Sequence, residues 1–187
     1  MDDPIANLLA KQAIAEVIFR YCRAIDRCDA ELLASCFHAD ATHNHGVFEG
    51  PSVDFCGFAL QLIAMIGSTQ HHVGNVLIEV DGTRAHSEAY WVAYHRILAN
   101  GPGEQAGLFA SHGIDEDLFI GGRYIDRFEN RGSQWRIAHR IGVHDWQRYE
   151  TAAERDFTAL PANMRGMRGR QDASYWKDGK ITMPSHQ

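Results

Sequence analysis

Residues 68–97 read as two β-patterned runs meeting at one tight turn, and that pairing constrains the chain more than any other feature. In "STQHHVGNVLIEVDG", Val76, Ile78 and Val80 alternate with Leu77 and Glu79, and Asp81-Gly82 is a strong hairpin dipeptide. "RAHSEAYWVAYHRI", residues 84–97, follows with the aromatic and β-branched content of a long strand. Two more runs, "LFIGGRYIDRFEN" and "QWRIAHRIGVHDWQRY", are joined across Arg131-Gly132-Ser133. Long strands in succession predict a sheet, and a sheet needs a covered face.

The cover is upstream. Ile14, Val17, Ile18, Tyr21, Cys22 and Ile25 recur at three- and four-residue spacing, which predicts an amphipathic helix ending near Asp26. A short second helix fits residues 29–37, and a third starts at Pro51-Ser52, with Ser52 as N-cap ahead of Phe55, Ala59, Leu62, Ile63 and Ile66. Helices first and strands afterwards predict an α+β domain: a cone-shaped, strongly curved mixed or antiparallel sheet with the N-terminal helices on its concave side. Residues 1–150 form this single domain, and residues 151–187 are a tail expected to cover the pocket or a neighbouring subunit.

Composition narrows the partners. A net charge of -6 argues against nucleic acid, whose ligands carry basic surfaces. The start of the chain, "MDDPIANLLAKQ", is acidic and no apolar run approaches spanning length, so neither a signal nor a membrane is expected and the cytoplasm is the expected location. Cys22, Cys28, Cys36 and Cys56 form no C-x-x-C pair and read as small buried hydrophobes.

The open end of such a cone is a natural small-molecule pocket. Asp26, at the edge of the first helix's apolar stripe, Tyr21, within it, and His95, which shares strand parity with Trp91 and Ala93, are positioned to reach it. Trp91, Tyr124 and Phe55 are expected to make the wall aromatic. His71 and His72 point to opposite faces of their strand, and one of them must look inward, where imidazole suits proton transfer near neutral pH. "HNHGVFE", residues 43–49, offers an alternative: the H-x-H-x-x-x-E spacing of a cupin metal site, although helices are expected on both sides and no second such motif is present.

The order "YCRAID" (21–26), "TQHHVG" (69–74), "AYHR" (93–96) and "IGGRYIDRFENRGSQWRIAHR" (120–140) resembles the SnoaL-like branch of the nuclear transport factor two-like superfamily, over residues 7–150. Within it the chain is most similar to scytalone dehydratase, bile acid dehydratase and hexachlorocyclohexane dehydrochlorinase, all lyases without cofactor or metal. The resemblance implies that His71 is the general base, that Asp26 orients it, and that His95 is a second polar group on the long strand. It also implies roles for Tyr21, as in the bile acid enzyme, and for Arg140 as a substrate contact. Departures fall at Ile25 and His45, where scytalone dehydratase has tyrosines, and at Tyr21, where the dehydrochlorinase has lysine. His45 is carried over as a substrate-binding position.

The expected function is therefore a cofactor-independent lyase. A His-Asp dyad would drive elimination, or retro-aldol cleavage, on a small hydrophobic aromatic or alicyclic substrate. A homo-oligomer, dimer or trimer, is expected. The alternatives are a non-catalytic binding module, or an isomerase or hydrolase on the same fold.

Overall fold

A computed structural model of the chain describes residues 3–153, 161 and 164–176. Helix α1, Pro4–Arg27, starts where Asp3 accepts from the Ile5 N–H and Pro4 occupies the first turn; it stops where Cys28 takes the left-handed conformation. Its buried stripe runs from Ile14 to Asp26. Helix α2, Ala30–Ser35, is capped by Asp29 and is shorter than expected, because Phe37 already opens strand β1, Phe37–Asn44. Strand β2 is Glu49–Pro51 and helix α3 is Ser52–Ala64. Ser52 is not the N-cap. Pro51, held in β2 opposite Thr42, takes the N-cap position, so the helix begins one residue earlier than expected, and the Ser52 hydroxyl is buried without a partner.

Strands β3, Ser68–Asp81, and β4, Arg84–Ile97, form the expected hairpin, and β5, Glu116–Arg131, pairs with β6, Gln134–Thr151, through Gly132 and Ser133 at positive φ. A 3₁₀ turn at Glu104–Phe109 interrupts the β4–β5 connection. The six strands lie in the order β2-β1-β6-β5-β4-β3, all antiparallel except the β1–β6 pair. The sheet is mixed, curved and unclosed. Register shifts between Val73 and Val76, between Gly121 and Gly122, and between Arg127 and Phe128 bend it. A Cβ on Gly121 would strike the Trp146 ring, and one on Gly122 would strike the Val143 carbonyl and Trp91. Helix α1 packs against β3 and β6, and α3 against β1 and β2, which fills the concave side. Among the described residues no helix is long and apolar enough to cross a membrane.

At the centre lies an ion pair with no exposed surface. Arg140 and Asp126 face each other across β5 and β6, with Nε to Oδ1 at 2.7 Å and Nη2 to Oδ2 at 2.6 Å, both side chains 0% exposed. The guanidinium lies 4.1 Å from the ring centroids of both Tyr21 and Tyr124, so it ties α1 to the sheet. The described part of the tail, residues 164–176, packs on the helices: Arg27 bonds Asp172 at 3.0 Å, Tyr175 bonds Asp29 at 2.7 Å, and Arg168 donates to the Ile63 and Ile66 carbonyls. The rest of the expected cover lies outside the described residues.

Removing one member of a buried pair strands a charge, whereas replacing both with apolar groups does not. Asp126→Ala is expected to lower stability by about 3–5 kcal/mol, and Asp126→Leu combined with Arg140→Met by far less, as urea midpoints will show. Equal losses in the two variants would contradict a fully desolvated pair.

Candidate active site

Asp26 sits in the last turn of α1, where the helix dipole disfavours a carboxylate, and it is only 8% exposed. Its stability there depends on donors, and β3 supplies them. This is the edge strand of the sheet, so the His71 N–H is free to turn away from β4 and donate to Asp26 Oδ2 at 2.9 Å. His71 Nδ1 donates to Oδ1 at 2.7 Å, and the Thr69 hydroxyl stands 3.5 Å from the same oxygen. His72, one residue on, is exposed on the other face. With Nδ1–H committed to the carboxylate, the neutral ring keeps its lone pair on Nε2.

His71 lines a cavity of about 450 Å³. Trp91 and Tyr124 stack on its wall at 5.3 Å, Phe55 and Ile63 come from α3, and Leu108 and Phe109 close it from the 3₁₀ turn. His95, 5.4 Å from the His71 ring, bonds Thr69 Oγ1 through Nδ1 at 2.9 Å. Burial, with His71 adding to it, holds His95 well below the usual imidazole range, so it is a neutral hydrogen-bonding group. Tyr21 also lines the cavity, and burial raises its phenol well above the ordinary value against the opposing pull of Arg140. The structure thus brings Asp26, His71, His95, Tyr21, His45, Trp91, Tyr124 and Phe55 to one place.

Arg140 departs from its expected position. It is enclosed by Asp126 and two tyrosine rings behind the wall, and it is not among the cavity-lining residues, so it supports the lining instead of touching a ligand. Sequence reading missed Thr69, His144 and the Leu108–Phe109 segment. Thr69 carried a signal, since it shares strand parity with His71. His144 and the Gly-rich loop carried none.

The "HNHGVFE" stretch does not assemble as a cupin would. Glu49 is exposed on β2, and among the described residues no group of three histidine, cysteine or carboxylate side chains is placed to hold a metal ion. The two histidines turn inward instead. The His43 ring stacks on Phe55 at 3.5 Å, and His43 Nε2 meets His45 Nδ1 at 3.2 Å. His45 Nε2 meets His144 Nε2 at 3.3 Å. Gly142 makes room, since a Cβ there would overlap the His45 ring. Burial, reinforced by Arg140 and His45, lowers His43 to about 2, and burial with His144 and Arg140 lowers His45 to about 3.

Because these folded values lie below the free imidazole value of about 6.5, the unfolded chain binds protons that the folded chain refuses. Stability is expected to be full above about pH 6.5 and to fall progressively as pH drops below it. Urea midpoints at pH 7.5 and 5 will measure the slope, and His43→Phe is expected to flatten it. An unchanged slope in that variant would sink the assignment.

A SnoaL-like domain model matches residues 6–141. Comparison with curated proteins gives no match. Among solved structures, a candidate scytalone dehydratase from Novosphingobium aromaticivorans DSM 12444 is similar at 22% identity and TM-score 0.61, covering 80% of this chain and 97% of that one. A type-3 hexachlorocyclohexane dehydrochlorinase from Novosphingobium barchaimii LL02 is similar at 15% identity and TM-score 0.63, covering 83% and 98%. A cystatin-like protein of unknown function from Nostoc punctiforme PCC 73102 aligns at 16% identity and TM-score 0.56, over 73% and 92%. These likenesses establish the shared fold, and the family match spans most of the sequence: the chain belongs to the SnoaL-like family of the nuclear transport factor two-like superfamily.

Proposed function

We propose that the protein is a cofactor-independent lyase acting on a ring-bearing, weakly charged small molecule. The observation that carries this reading is the 2.7 Å contact between Asp26 Oδ1 and His71 Nδ1 on the wall of an apolar cavity. The carboxylate sets the tautomer and stabilises the imidazolium that forms, which makes Nε2 a general base. In elimination, Nε2 takes a proton from an acidified C–H, the C–H electron pair becomes the new double bond, and the leaving oxygen, held by hydrogen bonds from His95 or Tyr21, departs with the proton that His71 has gained. In retro-aldol cleavage, Nε2 takes the hydroxyl proton of the substrate, the C–C bond breaks to release an aldehyde, and the carbanion is reprotonated. The dehydratase and dehydrochlorinase among the fold neighbours, both eliminating enzymes by name, favour the first route. An aromatic wall of Trp91, Tyr124 and Phe55 suits a flat ring.

Turnover of a panel of aryl alcohols and β-hydroxy aryl ketones, followed as loss of water or release of formaldehyde, tests the reading. His71→Ala is expected to cut turnover by about a hundred- to ten-thousand-fold with an unchanged circular dichroism spectrum. Asp26→Asn is expected to be severe and His72→Ala mild. Full activity in His71→Ala would overturn the dyad. Activity is also expected to survive dialysis against chelator; loss with EDTA and recovery with iron or manganese would replace the dyad with a metal mechanism. In a thermal-shift screen, stabilisation by highly charged metabolites alone would contradict the proposed ligand class.

A further inference from the structure

Three imidazoles stand in a row that runs from behind the cavity wall to its lining, and the inner end of the row decides where each proton sits. The contacts run from His43 Nε2 to His45 Nδ1 at 3.2 Å and from His45 Nε2 to His144 Nε2 at 3.3 Å. Burial keeps the rings neutral, so each carries one N–H and each contact joins a donor to an acceptor. His43 is 1% exposed, its Nδ1 has no partner, and its parallel neighbour on β6 is Arg140. As with backbone groups, a buried N–H without an acceptor is rarer than a buried lone pair without a donor, and a guanidinium beside the ring further disfavours an N–H there. His43 therefore carries its proton on Nε2 and donates to His45 Nδ1. His45 then carries its own on Nε2 and donates to His144 Nε2. His144 is left with its proton on Nδ1.

We propose that this row fixes His144 as a neutral Nδ1–H donor at the cavity mouth, where it recognises an acceptor oxygen on an aromatic ligand. His144 lines the cavity, is exposed to solvent on its outer side, and rests edge-on against Trp91 at 5.4 Å. The site would then hold two imidazoles of opposite character: His71 presents a lone pair, and His144 presents an N–H. Protonating His144 on Nε2 would reverse every contact in the row and place an N–H on His43 Nδ1 beside Arg140. The titratable and charged groups around the row are His43 and His45 from the β1 side, Arg140 and Asp145 on β6, Arg123 on β5, His95 on β4 and His71 on β3. Asp145 alone among these favours a protonated His144, and Arg123 already holds it through two hydrogen bonds of 2.9 and 3.0 Å.

This inference rests on the lyase reading only in that the recognised oxygen would belong to that substrate, and the tautomer can be measured without turnover. Two-bond proton–nitrogen spectra of the full chain labelled with ¹⁵N-histidine are expected to show His144 neutral and protonated on Nδ1 at pH 7. It is expected to remain so into the acidic side of the ordinary imidazole range, because desolvation lowers it. His45→Phe and His43→Phe, each checked for folding by circular dichroism, are expected to return His144 to an ordinary titration and to Nε2–H. Nε2–H in the wild-type protein, or titration near 6.5, would overturn the proposal whether or not the variants fold. Acetophenone is expected to bind about fivefold more tightly than isopropylbenzene, the worth of one neutral hydrogen bond, with the preference lost in His144→Phe. No preference in the wild type would overturn the recognition role. An active His71→Ala would instead refute the lyase reading and leave the tautomer assignment untouched.

Discussion

A guanidinium with no exposed surface sits where the helices meet the sheet, and much of the molecule is arranged around it. Arg140 is neutralised by Asp126 from the neighbouring strand and roofed by Tyr21 and Tyr124. Tyr21 belongs to α1, so the packing that shields the charge also sets the helix against the sheet, and Asp26 lies on that same helix just over one turn further along. On the opposite side, the charge raises the cost of protonating His43. One buried cation therefore bears on both the carboxylate side and the histidine side of the cavity.

The cavity separates its imidazoles by environment. His71 has a carboxylate partner and a backbone N–H beside it that helps hold that carboxylate in place. His43 and His45 have no carboxylate and face one another, a cation and aromatic rings, so they stay neutral. His95 reaches the dyad through Thr69, which bonds its Nδ1 and stands near Asp26. Groups of one chemical type pushed apart in this way can accept a proton at one end of a pocket and present N–H donors at the other.

Backbone irregularities make these placements possible. The edge position of β3 frees the N–H that Asp26 needs, and the helix that accepts it also covers that edge. Glycines at 121, 122 and 142 leave space that the rings of Trp146, Trp91 and His45 occupy, so the sheet bends and the aromatic lining closes against it.

The reading of the sequence reached as far as local periodicity reaches. Three-and-four spacing in α1, strict alternation from Val76 to Val80 and the turn pairs at Asp81-Gly82 and Gly132-Ser133 depend on residues close along the chain, and they specified the helix, the hairpins and the α+β class. The resemblance carried by "YCRAID" and "TQHHVG" added Asp26 and His71. Strand β1 escaped because it joins the main sheet through β6, nearly a hundred residues away, its local partner β2 is only three residues long, and "FHADATHN" lacks a clean alternation of its own. That one parallel pairing turned "HNHGVFE" from an apparent metal motif into a stacked pair of imidazoles, brought His144 to His45, and placed Arg140 beside His43 and behind the wall. A long-range pairing leaves no local pattern, since each partner's residues are chosen to fit a surface that exists only once the chain has folded. Local pattern left open which of His71 and His72 faces inward, the resemblance named His71, and tertiary structure alone decided where the buried charge lies.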